Sequence, residues 1–206
     1  MKNEKETKEN LLNSAKKEFL EKGFMQASLR NICKNAGVTT GALYFFFKDK
    51  EDLFANVVQE PLNQLYQLMS SHYELEKEIP SIELHSLEDF GEDIEMAKQV
   101  IGFMYQHYDE FQLILTKSQG SRFENCIDYF VSVSEKHYRI MADRIAETMG
   151  TKKLDDYMIH WVAHMQIDAF VHLLTHEKDK EEATKQIENI VYYIIAGWLA
   201  MFQIKE

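Results

Sequence analysis

The chain has 206 residues, 45% hydrophobic and 28% charged, the balance of an ordinary globular protein rather than a disordered or fibrous one. Eight Gly and two Pro supply too few tight turns for a β-sandwich or barrel, and Cys33 and Cys126 match no zinc or redox spacing, which excludes a disulfide scaffold. The net charge of −11 is unevenly spread: residues 1–50 hold ten Lys/Arg against six Asp/Glu, and the remainder holds 13 against 28. That asymmetry implies a polyanion-facing N-terminal unit joined to an acidic body that could not itself approach DNA. The opening MKNEKETKEN is polar with no apolar segment behind it, so no signal peptide is expected. The longest apolar run, Ile190 to Ile204, would reach about 22 Å as a helix, short of the roughly 30 Å of a bilayer core. A cytoplasmic, reduced setting and no membrane contact are the expectations.

In chain order, Leu11, Leu12, Ala15, Phe19 and Leu20 share one face of a first helix, with Glu4 and Glu6 early, Lys22 late and Gly23 as the stop. Ser28 is expected to cap a short second helix with Leu29, Ile32, Cys33 and Ala36 inward, and Gly37 to end it in the left-handed conformation. Thr39 can cap a third short helix in which Leu43 and Phe47 share a face. Two short helices about a glycine turn make a helix-turn-helix, here over about residues 28–47. A long helix then runs from Asp49 through Leu53, Phe54, Val57, Val58, Leu62, Leu65 and Leu68, with a bend expected at Pro61.

Residues 74–95 carry nine acids against Lys77 and read as a loop entering another helix. Further helical patterns cover residues 92–108, 110–117, 122–149, 154–177 and 180–204. No β-alternation and no internal repeat are present. The expected fold is all-α with about nine helices.

The stretch SLRNICKNAGVTTGALYFFFKDKEDL, residues 28–53, resembles the DNA-binding signature of the TetR family of bacterial transcriptional regulators. The resemblance rests on Ala36-Gly37-Val38, on Gly41-Ala42-Leu43-Tyr44 and on Phe47-Lys48-Asp49-Lys50-Glu51-Asp52-Leu53. It reaches back to Phe19-Leu20-Glu21-Lys22-Gly23-Phe24 and covers roughly the first quarter of the chain. It implies a DNA-binding domain at residues 1–50 and a helical ligand-binding and dimerisation domain at residues 51–206. In the family, positions matching Thr39, Thr40, Gly41, Tyr44, Phe45, Lys48 and Lys50 commonly contact DNA; Ser28 and Ala42 complete the candidate set here.

Physical chemistry fits that assignment. The second helix of a helix-turn-helix enters the major groove with its N-terminal residues at the base edges. Thr39, Thr40, Gly41 and Ala42 are small enough for close approach, Tyr44 offers a hydroxyl, and Lys48 and Lys50 add positive charge. Amides at Thr39 and Thr40, and at Lys50 where the long helix opens, are suited to phosphate oxygens. The chain departs from the family at Phe45 and Phe46, where Tyr, His or Trp is usual. Phe47 and Phe46 read as core, and Phe45 as outward beside Tyr44.

His160, His164, Asp168, His172 and His176 recur every four residues, but each step drifts about 40° around the helix, so all five cannot meet one ion. A polar stripe beside the apolar Trp161, Met165, Phe170 and Leu173 is expected, with no metal and no cofactor. Phe103, Met104, Tyr105, Phe111, Tyr129, Phe130, Met141, Trp161 and Met165 are the candidate lining of an effector pocket, since Met and aromatic side chains adapt to varied ligands. Trp161, Met165, Ile187, Val191, Ile194, Ile195, Trp198 and Phe202 supply more apolar surface than one helical stripe needs and are the candidate dimer contacts. There is no phosphate-cradling Gly loop, nucleophile elbow or H-E-x-x-H pair, so an enzyme is not expected.

The resulting expectation is a ligand-responsive regulator, a repressor that binds a palindromic double-stranded DNA operator as a homodimer and is released by a small apolar or aromatic effector. By the family's pattern, the long helix with Pro61 would act as the lever between effector and DNA. A protein-interaction adaptor that keeps the fold without operator binding is the alternative left open by Phe45 and Phe46.

Overall fold

The computed structural model describes residues 2–76 and 91–203. Most of the acidic stretch (Glu78, Glu83, Glu88 and Asp89, with Lys77) and Ile204, at the end of the last expected helix, lie outside the described residues. Nine helices and no strand are found among the described residues: α1 Lys2–Gln26, α2 Leu29–Asn35, α3 Thr40–Phe46, α4 Lys50–Glu76, α5 Gly91–Gln106, α6 Tyr108–Thr116, α7 Cys126–Met149, α8 Asp156–His176 and α9 Lys180–Met201.

Local chemistry sets most of these limits. α1 breaks at Gly23, whose φ of 74° and ψ of 164° leave the helical region. Gly37 ends the α2 turn with φ 69°. Asp155 caps α8 by accepting the Met158 amide, and Asp179 caps α9 by accepting that of Glu182. α4 stays helical through the buried Pro61. α7 starts at Cys126 instead of near Arg122, because residues 118–125 turn on Gly120 (φ 81°), with Ser118 Oγ donating to the Ile114 carbonyl at 2.6 Å and the Ser121 amide to that of Ser118 at 2.9 Å.

The chain forms two compact units, Met1–Gln64 with His107–Cys126, and Leu65–Gln106 with Ile127–Glu206. In the first, Leu11, Ala15, Phe19, Ile32, Leu43, Leu53, Phe54 and Val58 are fully buried and Phe47 nearly so. Phe54 anchors it, meeting Phe19 at 4.9 Å and Phe24 at 5.3 Å edge-on, and Phe123 at 5.8 Å. Residues 107–126 join this unit. The ties are specific: Lys16 pairs with Glu110 at 3.0 Å, and the Phe24 amide donates to the Lys117 carbonyl at 2.8 Å.

In the second unit, Ile94, Ala97 and Ile101 of α5 close a core with Leu173 of α8 and Ala183, Ile187 and Val191 of α9. The Tyr105 hydroxyl donates to the Glu177 carbonyl at 2.7 Å, securing the end of α8.

Candidate nucleic-acid interface

The helix-turn-helix is built largely by short-range bonds. Ser28 Oγ accepts the Asn31 amide at 3.4 Å to start α2, and Thr39 Oγ1 accepts the Ala42 amide at 3.2 Å to start α3. Ser14 Oγ donates to the Ile32 carbonyl at 2.8 Å, and the buried Glu18 accepts from the Ser28 amide at 3.1 Å, so α1 holds α2 from below. α3 turns Leu43 into the core, with Phe47 closing its end, and leaves Thr40, Gly41, Tyr44 and Phe45 exposed, Tyr44 by 56% and Phe45 by 72%. Ala42 and Phe46 are half-buried, and Phe46 meets Phe45 edge-on at 4.9 Å. Glu4, Thr7, Ala42, Phe45 and Phe46 line an open depression of about 260 Å³ on this side of the unit.

The two lysines differ. Lys48 is exposed beyond the end of α3. Lys50 Nζ instead donates to the Met25 carbonyl at 3.0 Å and the Ala27 carbonyl at 3.4 Å, and lies 4.7 Å above the Phe24 ring. Around the start of α4, Asp49 Oδ1 takes the Asp52 amide at 2.8 Å, and Asp52 Oδ2 takes the Lys48 amide at 2.9 Å. With Glu51 and Asp52 in its first turn, α4 opens on negative charge and is a poor seat for phosphate. Lys50, expected to face phosphate, is thus bonded within its own unit in this structure.

The effector candidates fall in both units, and two of them, Tyr129 and Phe130, meet edge-on at 5.9 Å. Phe111 is buried in the first unit, and the other eight belong to the second. There Met104 and Phe130 are buried, Phe103, Tyr105, Met141 and Met165 are half-buried, and Tyr129 and Trp161 are exposed. The sequence reading missed a buried polar set on α4 and α7: Tyr73 stacks on His137 at 4.0 Å and shares a hydrogen bond with Ser134 at 2.9 Å. Its only signal was a Ser and a His three residues apart on an otherwise apolar helical stripe. Nearby on α7, Tyr138 meets Trp198 at 5.1 Å, and the buried Trp198 Nε1 has no hydrogen-bond acceptor among the described residues.

Of the dimer candidates, Ile187, Val191, Ile194, Trp198 and Phe202 are buried within the single chain. Met165 and Ile195 are half-buried and Trp161 is 48% exposed. The outward faces of α8 and α9 carry Tyr157, Trp161, Tyr192, Tyr193, Ala196, Gly197 and Ala200 instead.

In the histidine series, His160 Nδ1 lies 3.5 Å from Glu135 Oε2 and its ring 4.6 Å from that of His164, while His172 stacks on His176 at 4.1 Å. Among the described residues no group of three or more His, Cys, Asp or Glu is arranged to hold a metal ion. Both cysteines are buried and unbridged, and burial pushes the Cys33 thiol up, keeping it protonated at neutral pH. No helix among the described residues is long and apolar enough to cross a membrane.

Comparison with known proteins finds similarity to regulators in the same segment. Residues 11–57 match the family model described as bacterial regulatory proteins, tetR family. The chain is 47% identical over 53 residues to the HTH-type transcriptional repressor BepR of Brucella suis biovar 1 (strain 1330), a match covering 26% of this chain and 25% of that protein. With the HTH-type transcriptional regulator AcrR of Shigella flexneri it is 46% identical over 52 residues, 25% of this chain and 24% of AcrR. The chain thus spans about a quarter of the length of these two curated relatives. A longer match, 25% identical over 172 residues, covers 82% of this chain and 90% of an HTH-type transcriptional regulator of Staphylococcus aureus (strain USA300). Among solved structures, NalD, the secondary repressor of the MexAB-OprM multidrug efflux pump in Pseudomonas aeruginosa, shares the fold with a TM-score of 0.59 at 18% identity, covering 94% of this chain and 97% of NalD. A transcriptional regulator from Aquifex aeolicus VF5 does so with a TM-score of 0.57 at 20% identity, covering 91% and 99%.

Proposed function

We propose, with the chain's place in the TetR family of bacterial regulators as the premise, that it is a transcriptional repressor reading DNA through α3. The observation that carries this is the outward display of Thr40, Tyr44 and Phe45 beside the exposed Lys48, in a segment of net positive charge on an otherwise acidic chain. A short capped helix of small and aromatic side chains fits a major groove, and the acidic remainder is repelled from the phosphates. Ser28 and Thr39 act as caps, and Thr40, Gly41, Ala42, Tyr44, Phe45 and Lys48 form the contact set.

Two copies would bind a palindromic operator, because a two-fold dimer matches two half-sites one helical turn apart. The outward faces of α8 and α9 are the proposed contact between copies, made by Trp161, Met165, Tyr193, Ala196 and Ala200. The effector site is proposed at the buried cluster of Tyr73, Ser134, His137, Tyr138 and Trp198. Clustered aromatic rings with a buried indole N–H suit an aromatic or apolar molecule carrying a hydrogen-bond acceptor.

A gel shift with the DNA upstream of the chain's own gene tests the reading. A shift at protein concentrations that leave random DNA free is expected, and equal binding of both sequences overturns it. The exposed Phe45 also favours a second reading, a protein-interaction adaptor, which absence of any DNA shift would support.

A further inference from the structure

We propose that α3 reads its half-site through apolar contact with thymine methyl groups, that Phe45 is the specificity-determining residue, and that the operator is accordingly A·T-leaning. This rests on the DNA-reading function proposed above. Direct readout in the major groove usually comes from Arg or Lys on guanine and Asn or Gln on adenine, each through a long polar side chain. From the Thr39 cap to Phe46, the reading helix contains none of these four residues. Its outward chemistry is the Thr40 hydroxyl and methyl, the partly covered Ala42 methyl, the Tyr44 phenol and the Phe45 ring.

Phe45 is the decisive member. Leu43 and Phe47 on either side turn into the core, while Phe45 stays 72% exposed, held edge-on by the half-buried Phe46. An exposed phenyl ring is unfavourable in water and gains only when it meets apolar atoms. In the major groove the thymine C5-methyl is the one apolar group that a base pair displays. The depression beside the ring points the same way. Its walls are mostly Thr7, Ala42, Phe45 and Phe46, which present methyl and ring carbons.

The test is selection of binding sites by the full-length protein from a random-sequence duplex library, followed by thymine-to-deoxyuridine replacement at each position of the selected site. That replacement removes only the methyl. One or more positions per half-site should lose roughly fourfold in affinity, the scale of one buried methyl group. Phe45→Ala should lower the ratio of operator to random-DNA affinity by about tenfold and erase the deoxyuridine effect, whereas Phe45→Leu should retain that effect. Lys48→Ala should weaken operator and random DNA together. Deoxyuridine that is silent throughout the half-site, or a uniformly G·C core, overturns the methyl-reading while leaving the DNA-binding function standing. A library from which no sequence is enriched overturns the DNA-reading function itself.

Discussion

The Lys50 ammonium donates to the Met25 carbonyl oxygen at 3.0 Å, so the residue that opens α4 is bonded to the turn that closes α1. The same ammonium reaches the Ala27 carbonyl and sits over the Phe24 ring, three contacts that a phosphate would have to displace. Lys50→Met should therefore lower unfolding stability by about 1 kcal/mol, the net scale of partly exposed charge-assisted hydrogen bonds. Denaturant titration checks this, and unchanged stability would return Lys50 to the DNA-contact set.

Lys48 should behave in the opposite way. Its side chain is exposed beyond α3, so Lys48→Ala should leave the melting temperature unchanged. It should also flatten the dependence of log affinity on log salt by about 0.9, the loss of one phosphate contact. Affinity measured at several salt concentrations decides; a slope equal to that of the wild type removes Lys48 from the interface.

Gly23 and Gly102 should answer alanine substitution with opposite signs. At Gly23 a Cβ would stand 3.7 Å from the Lys117 oxygen, ordinary contact, but φ 74° with ψ 164° is a region that side chains avoid. Gly23→Ala is expected to cost about 1–3 kcal/mol. Gly102 is helical, and its Cβ would meet only the Lys180 side chain at 3.9 Å, so Gly102→Ala should stabilise by about 0.5–1 kcal/mol. Equilibrium unfolding of both variants checks the pair of signs.

The two faces of α9 should separate folding from association. Ile187 is fully buried against α5 and α8, and Ile187→Ala should cost about 2–5 kcal/mol of stability. Tyr193 is 72% exposed, and Tyr193→Lys should leave helix content intact while yielding monomers in sedimentation. A wild type that sediments as a monomer at micromolar concentration contradicts the dimer.

Asp143 supplies a pH signature. Lys153 at 3.1 Å, and then Arg139 at 3.3 Å, hold its carboxyl below the ordinary value of 3.8. A carboxyl lowered in the folded state contributes stability that is fully present above its unfolded value and is lost as pH falls through the folded one. Asp143→Asn should thus be less stable than wild type at neutral pH and converge with it at about pH 2, as followed by thermal melts across that range.

What could be read directly from the residues was set by contacts close in sequence. Ser28 and Thr39 cap helices through amides three residues away, Gly23 and Gly37 adopt backbone that other residues avoid, and the helical repeat separates inward Leu43 and Phe47 from outward Tyr44 and Phe45. The nine helices among the described residues and the helix-turn-helix followed from such local terms, which is why a quarter of the chain was enough for the match to a family model. The resemblance could mark Lys50 as a DNA contact but could not register Met25 and Ala27, whose carbonyls reach it only once α1 and α4 have packed. Nor could it group residues 107–126 with the first helices, a pairing made by Lys16 with Glu110 across 94 positions. On α9, Ile187, Trp198, Tyr193 and Ala196 all register as apolar in the sequence, and only the packing of α5, α7 and α8 decides which of them water still reaches. Capping and periodicity are properties of a segment; burial is a property of whichever distant segments the fold brings against it.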